Sequence, residues 1–191
     1  FLAPLYWGCT CLLEPRFSIE GVKNGILNRK ANINFTVGRV WMMVCRHLDE
    51  EMKKGRKPDM SFLRLCIMGG EGCSPKELTW INRILRECGS PVPVTSGYGL
   101  SEVFSVMSAD YGSFEEDYMQ GNPHGVITVG APLPGVVVSI QDCDGNELPY
   151  GKRGELCVRA TTCMEGYLHQ EELTAEVFRG GWYHTGDLCE L

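Results

Sequence analysis

The sequence predicts an α/β fold in two lobes, with a covered, mostly parallel sheet lobe followed by a small β-rich lobe. Up to about residue 109, short apolar runs alternate with stretches of helical periodicity. Such strand–helix–strand alternation is typical of a parallel sheet covered by helices. Beyond residue 125, two β runs surround an Asp-Gly turn, which indicates antiparallel hairpins. We therefore expect an α/β lobe at residues 1–122 and a β-rich lobe at residues 123–191.

Helices alternate with strands along the first lobe. The predicted strands are INFTVG (33–38), LRLCIMGG (63–70) and PVPVTS (91–96). The clearest helix begins with a capping box of Ser74 and Glu77, and Pro75 stands at its first helical position. Apolar residues at helical spacing predict two further helices, one after Ser18 as N-cap and one from Trp41 onward.

The second lobe has the patterning of a small antiparallel sheet. Apolar runs near 135–141 and 154–160 predict a hairpin around the Asp-Gly turn, and EELTAEVF (171–178) predicts a short helix. The polar stretch 111–125 indicates a long surface loop or a lobe boundary. The segment 180–191, GGWYHTGDLCEL, ends the sequence.

Charge and composition argue against several function classes. A formal net charge of −6 argues against a duplex nucleic-acid surface, and no apolar run reaches the length of a membrane span. Among ten cysteines the closest pair is Cys9 and Cys11, and no C-x-x-C or His/Cys grouping appears in the sequence. We therefore expect free thiols in a reduced, cytoplasmic protein. Because the sequence begins at Phe1, we expect it to be a piece of a longer polypeptide.

Two glycine-rich segments follow predicted strands, GGEG at 69–72 and SGYGLSE at 96–102. Ligands of open α/β sheets bind beyond the carboxyl ends of the strands, so both segments are candidate ligand loops. A structural alternative exists for the second segment, in which the glycines make a turn and Ser101 caps a helix. The other interpretation is that its hydroxyl and carboxylate groups converge on a nucleotide and its metal ion.

Four segments, in one order between residues 63 and 188, resemble the central part of the adenylate-forming, or AMP-binding, superfamily. That superfamily includes acyl-CoA synthetases, peptide-synthetase adenylation domains and luciferases. LRLCIMGGEGCSPKEL resembles its glycine-glycine-acid loop, and SGYGLSE resembles its tyrosine-glycine-x-threonine-glutamate motif. VGAPLPGVVVSIQDCDGNELPYGKRGELCVRA resembles the linker into its small β lobe, and TAEVFRGGWYHTGDL resembles its ribose-binding segment.

The resemblance implies a nucleotide site. Tyr98 would lie against adenine, Ser101 would donate to the phosphate, and Glu102 would bind Mg²⁺, which makes Ser101 and Glu102 the implied catalytic residues. Asp187 would accept hydrogen bonds from both ribose hydroxyls, while His184 would be structural. The implied nucleotide-binding residues are Gly70, Glu71, Gly72, Ser96, Gly97, Tyr98, Gly99, Leu100, Ser101 and Asp187.

The resemblance also implies a reaction, the ATP-dependent ligation of a carboxylic acid to CoA through an acyl-adenylate, with Mg²⁺ as cofactor. Two alternatives remain open, an amino-acid-activating domain of a peptide synthetase and a non-catalytic nucleotide-binding relative. The family's phosphate-loop lysine and its C-terminal catalytic lysine lie outside this sequence. We therefore expect the 191-residue chain alone to be inactive.

Overall fold

A computed structural model describes residues 2–108 and 127–191 of the chain. These residues form two compact units, and the boundary between the units lies within a strand. One unit comprises residues 2–95 with Ile127, and the other comprises 96–108 with 128–191. Strand β3 (Val94–Leu100) therefore begins in the first unit and ends in the second. SGYGLSE, which the sequence analysis assigned to the α/β lobe, thus belongs to the second unit. The lobe boundary predicted at residue 122 lies outside the described residues and stays a prediction.

The first unit alternates helices and strands, as the apolar periodicity predicts. Its helices are α1 (Leu2–Tyr6), α2 (Ile19–Lys23), α3 (Gly38–Lys53) and α4 (Pro75–Glu87), and a π-helical turn covers Asn24–Asn28. Its strands β1 (Ile33–Thr36) and β2 (Leu65–Met68) pair in parallel, and the start of β3 follows β2 in the strand order. The α/β class and the parallel pairing are confirmed.

Helix α4 begins where its sequence predicts and fixes the start of β3. Ser74 Oγ accepts a hydrogen bond from the Glu77 N–H at 3.3 Å, and Glu77 Oε2 accepts one from the Ser74 N–H at 2.8 Å. Each bond satisfies an amide that the first helical turn leaves unpaired. On the same helix, Asn82 Oδ1 accepts from the Val94 N–H at 2.8 Å, and Asn82 Nδ2 donates to the Val94 carbonyl at 3.1 Å.

The second unit is built from antiparallel strands. After β3 its strands are β4 (Phe104–Ser108), β5 (Ala131–Pro132), β6 (Val136–Gln141), β7 (Arg153–Ala160), β8 (Phe178–Arg179) and β9 (Trp182–Glu190), and its helix is α5 (Glu171–Val177). Four of them form a sheet in the order β6-β7-β9-β8, and Leu156 of β7 belongs to one buried cluster with Val103 and Val106. The predicted hairpin of β6 with β7 and the predicted helix are confirmed.

The glycines of SGYGLSE extend a strand, so the prediction of a loop after a strand end is wrong. β3 continues to Leu100, residues 101–103 form a turn, and β4 returns antiparallel, so Ser101 begins a turn rather than capping a helix. The pairing has a bulge between Tyr98 and Gly99. A Cβ at Gly99 would collide with the Phe104 carbonyl oxygen, which explains why glycine stands here within a strand.

The described helices can be compared with the length that a membrane span requires. The helix α3 has 16 residues, fewer than the 20 or so that a bilayer span takes. Within residues 2–108 and 127–191, none of the helices is long and apolar enough to cross a membrane.

We predict that Gly99→Ala lowers the free energy of unfolding of the 191-residue chain by about 1–3 kcal/mol, because the new Cβ must displace backbone of β4. Gly25→Ala is the matched control, since a Cβ there meets no atom within 4 Å, and it should leave stability unchanged or raise it. Urea denaturation measures both changes. Equal stability of Gly99→Ala and the wild type would contradict the close approach of the two strands.

Candidate functional site

Tyr98 and Asp187, which belong to separate sequence motifs, are in contact in the second unit. The Tyr98 hydroxyl donates a hydrogen bond to Asp187 Oδ2. Tyr98 lies in β3 and is half-buried, whereas Asp187 lies in β9 and is exposed. Burial raises the pKa of the Tyr98 phenol above its usual value, and the hydrogen bond to the Asp187 carboxylate raises it further. The phenol is therefore a protonated donor at neutral pH.

Glu102 lies in the turn between β3 and β4, and a neighbouring segment holds that turn in place. Glu102 Oε1 accepts a hydrogen bond from the Tyr167 hydroxyl at 2.9 Å, and its backbone carbonyl accepts one from the Met164 N–H at 2.7 Å. Thr162 Oγ1 donates to the Val103 carbonyl at 2.7 Å. The Glu102 carboxylate is thus oriented while remaining partly exposed, which suits an oxygen ligand for a hard cation.

The buried phenol of Tyr183 belongs to the hydrophobic cluster against which Tyr98 packs. Burial raises the pKa of Tyr183, and a hydrogen bond with Tyr167 raises it further. The negative charge of Glu102 and the phenol of Tyr98 act in the same direction.

Strand β9 bulges at residues 185–187 in its pairing with β7, and two side chains hold this bulge. Thr185 Oγ1 donates to the Leu156 carbonyl at 2.8 Å and accepts from the Asp187 N–H at 3.0 Å. Glu155 Oε1 accepts from the Gly186 N–H at 3.0 Å. Gly186 has a φ of +75°, a conformation that glycine adopts without steric cost. Two successive amides of the bulge are thereby paired, which restricts the backbone that carries the Asp187 side chain.

Glu155, Cys157 and His184 form a cluster that no sequence pattern reveals. Cys157 stands opposite His184 in the pairing of β7 with β9, and its Sγ lies 3.4 Å from His184 Nδ1. The same Nδ1 lies 2.8 Å from Glu155 Oε2. The three donor atoms lie within 4.8 Å of one another, and carboxylate, thiolate and imidazole are ligand types that zinc takes. Strand register creates this His/Cys grouping, which sequence spacing alone did not show.

The guanidinium of Arg179 opposes a metal ion in this cluster. Arg179 Nη2 lies 3.4 Å from Glu155 Oε2, so a metal ion bound to that oxygen would face a positive charge. Without a metal ion the Cys157 thiol is neutral at pH 7, because burial raises its pKa to about 11 and the negative charge of Glu155 contributes to the rise. The cluster is therefore best described as a hydrogen-bonded arrangement around the Glu155 carboxylate.

The glycine-rich loop of the first unit connects β2 to α4, as predicted from its place after a strand. Gly70 has a φ of +78°, and Gly70 and Gly72 are both exposed. Glu71 Oε1 accepts a hydrogen bond from the Arg39 backbone N–H at 2.7 Å. Glu71 thus caps the first turn of α3, where the helix dipole favours a negative charge. Ligand roles for this loop stay predictions.

The other predicted nucleotide-binding residues have different environments. Ser96 is buried, and its hydroxyl donates to the Thr128 carbonyl, so this hydroxyl is used within the fold. Ser101 is exposed in the turn after β3, where it is accessible to solvent. Gly97 and Leu100 lie in β3 and are partly buried. The ligand roles predicted for these four residues are not tested by their placement.

Tyr167 and Glu155 contact the predicted site residues, but no sequence pattern predicts either of them. Tyr167 reaches Glu102 across 65 residues of chain, and Glu155 reaches His184 across 29. Neither residue stands in a local pattern that distinguishes it from a packing aromatic or a surface carboxylate. Knowledge that β7 pairs with β9 would have pointed to Glu155. Strand pairing across such long chain separations cannot be predicted from the spacing of residues in the sequence.

Comparisons with known proteins identify relatives of the chain. The family model described as AMP-binding enzyme matches residues 1–168. A long-chain-fatty-acid–CoA ligase of Escherichia coli is 32% identical over 139 residues, which are 73% of this chain and 22% of the ligase. Tyrocidine synthase 3 of Brevibacillus parabrevis is 30% identical over 139 residues, which are 69% of this chain and 2% of the synthase.

A solved structure has the same fold. The amide bond synthetase of Marinactinospora thermotolerans aligns with a TM-score of 0.77 and 27% identity, over 96% of this chain and 34% of the synthetase. The chain thus spans 22% of the Escherichia coli ligase and about a third of the solved synthetase.

We predict that ionisation of Tyr98 makes the free energy of unfolding fall as the pH rises above the usual pKa of tyrosine. An unfolded tyrosine has a pKa of about 10. Because the folded pKa of Tyr98 is raised, its contribution is fully present below about pH 10 and is lost as the pH rises through the folded pKa. The free energy of unfolding of the 191-residue chain should fall as the pH rises above about 10, and less steeply in Tyr98→Phe.

Urea denaturation at several pH values measures this slope. Tyr150→Phe is the matched control, because Tyr150 is 88% exposed and its removal should preserve the wild-type slope. Identical slopes in all three proteins would contradict a buried, hydrogen-bonded Tyr98 phenol.

Proposed function

Since the chain belongs to the AMP-binding enzyme family, we propose that it is part of an ATP-dependent ligase that joins a carboxylic acid to CoA. The proposed reaction has two steps, formation of an acyl-adenylate and transfer of the acyl group to the CoA thiol. The hydrogen bond between Tyr98 and Asp187 is the observation that carries the proposal, because it unites two motifs to which the family resemblance gives adenine and ribose roles.

Asp187 is proposed to bind the ribose of ATP. Its carboxylate is exposed, and an ionised carboxylate accepts hydrogen bonds through both oxygens, as a pair of ribose hydroxyls requires. Hydrogen bonds through Thr185 and Gly186 already fix the backbone around Asp187, so ligand binding costs little further conformational entropy there. Tyr98 is proposed to place its ring against adenine while its hydroxyl orients Asp187.

Glu102 is proposed to hold Mg²⁺ against the phosphates. Its carboxylate is a hard oxygen ligand, and Mg²⁺ in nucleotide enzymes commonly takes one or two carboxylates together with substrate phosphates. Tyr167 orients the carboxylate without neutralising it, because a phenol is an uncharged donor at neutral pH. Bound Mg²⁺ would neutralise phosphate charge during the reaction. Ser101, in the same turn, is proposed to donate to phosphate.

The proposed chemistry explains why these groups are needed. A carboxylate resists nucleophilic attack because of its negative charge. In the first step a carboxylate oxygen attacks the α-phosphorus of ATP, and the bond to pyrophosphate breaks, which gives the acyl-adenylate. In the second step the CoA sulfur attacks the acyl carbon, AMP leaves, and the thiol proton is released. Fixed groups around ribose and phosphate lower the barrier by positioning and charge stabilisation.

The nature of the acceptor separates two candidate functions. Similarity to a long-chain-fatty-acid–CoA ligase supports CoA as acceptor. Similarity to tyrocidine synthase 3 supports the second candidate, an amino-acid-activating domain of a peptide synthetase. Pyrophosphate exchange by the full-length protein with fatty, aromatic and amino acids tests adenylation. Release of AMP that depends on added CoA then favours the ligase over the second candidate.

Cysteine chemistry supports a cytoplasmic location for the proposed enzyme. All ten cysteines are free thiols, including the buried Cys45, Cys66 and Cys157. Secreted proteins of this size commonly carry disulfides, whereas reducing compartments keep thiols free.

We predict that Glu102→Gln in the full-length protein lowers adenylation about 10²- to 10³-fold, because a neutral amide holds Mg²⁺ poorly where phosphate charge must be neutralised. Pyrophosphate release at several Mg²⁺ concentrations is the measurement. Glu165→Gln is the matched control, since Glu165 is exposed in the segment that carries Tyr167, and it should keep wild-type rates. Full activity of Glu102→Gln at low Mg²⁺ would contradict the proposed metal role.

A further inference from the structure

Glu155 contacts three groups at or beside the β9 bulge that carries Asp187. It lies in β7, beside a register shift in the pairing with β9 between Glu155 and Cys157. Its Oε1 accepts from the Gly186 N–H at 3.0 Å, and its Oε2 lies 2.8 Å from His184 Nδ1 and 3.4 Å from Arg179 Nη2. Both carboxylate oxygens are therefore used, and each faces a donor of a different kind.

The carboxylate of Glu155 is ionised at neutral pH. Burial alone raises its pKa, but hydrogen bonds from His184 and the Gly186 amide outweigh that effect and hold the pKa below its usual value. The guanidinium of Arg179 acts in the same direction. An ionised acceptor makes a stronger bond to the Gly186 amide than a neutral one does.

The Gly186 amide is the point through which Glu155 can act on Asp187. Gly186 has a φ of +75°, and the next peptide unit carries the Asp187 N–H, which is held by Thr185 Oγ1 at 3.0 Å. With both amides held, the Asp187 carboxylate meets the Tyr98 hydroxyl. Without the bond from Glu155, the glycine could adopt other backbone conformations, and the Asp187 side chain would change direction.

We propose that Glu155 is a positioning residue, which holds the β9 bulge at Gly186 so that Asp187 presents its carboxylate to the ribose of the nucleotide. The inference rests on the proposed ribose role of Asp187, and it adds a residue that itself touches neither nucleotide nor metal. Glu155 acts through the backbone, so its removal should weaken recognition of ribose hydroxyls more than it weakens the rest of catalysis.

The test compares ATP with 2′,3′-dideoxy-ATP, which lacks both ribose hydroxyls, in pyrophosphate exchange by the full-length protein. The measured quantity is the ratio of kcat/KM for the two nucleotides. We expect the wild type to prefer ATP and Asp187→Ala to lose that preference. Glu155→Ala should lower the ratio about tenfold, as expected for a lost hydrogen bond to a charged group. The double variant should have the ratio of Asp187→Ala alone.

Two further variants keep the inference falsifiable if Glu155→Ala folds poorly. Glu155→Gln retains an oxygen that can accept from the Gly186 N–H but loses the charge that faces Arg179. Its kcat/KM ratio should therefore lie between those of the wild type and Glu155→Ala. Glu147→Gln, an exposed carboxylate before β7, is the control and should keep the wild-type ratio.

The outcomes separate this inference from the function on which it rests. If Asp187→Ala keeps the preference for ATP, the ribose role fails, and the inference fails with it. If Asp187→Ala loses the preference but Glu155→Ala and Glu155→Gln slow both nucleotides equally, Glu155 is merely structural and only the inference is overturned. Unchanged ratios in both Glu155 variants would overturn it as well.

Discussion

A half-buried tyrosine hydroxyl needs a hydrogen-bond partner, and Tyr98 meets this need with a carboxylate from the last strand of the chain. The contact requires that β9 pair with β7 and that the bulge at residues 185–187 take one conformation. Thr185 and Glu155 provide that conformation by accepting from two successive amides. Much of the second unit can therefore be understood as support for one contact between motifs that are 89 residues apart.

Three carboxylates of the second unit are placed in environments that suit different tasks. Glu155 faces the guanidinium of Arg179 and the ring of His184, so its charge is compensated inside the fold. Glu102 and Asp187 accept their described side-chain hydrogen bonds from phenols, which orient a carboxylate without cancelling its charge. In the proposed function, that residual charge attracts Mg²⁺ at Glu102 and hydroxyl donors at Asp187.

Local chemistry predicted the parts of the fold that depend on neighbouring residues. The capping box of Ser74 and Glu77 and the hairpin around the Asp-Gly turn were predicted correctly, because caps and turns use residues a few positions apart. The extension of β3 through Gly99 was not predicted, since glycine usually weakens a strand. Its cause is the carbonyl of Phe104 on the next strand, which leaves no room for a Cβ.

The candidate site also contains residues that the sequence predicts and residues that only the fold reveals. The family resemblance gives Tyr98 an adenine role and Asp187 a ribose role, and the two side chains are in contact. Tyr167 and Glu155 were not predicted, because their contacts arise from pairing and packing across long chain separations. A side chain that orients another has no fixed spacing from it, so its role becomes visible only when the strand register is known.

The most direct measurement is the crystal structure of the full-length protein with bound AMP. The account predicts that both Asp187 carboxylate oxygens lie within hydrogen-bonding distance of the ribose hydroxyls, with adenine against the Tyr98 ring and the bond from Glu155 to Gly186 intact. AMP bound elsewhere, or bound with its ribose hydroxyls directed away from Asp187, would contradict the account.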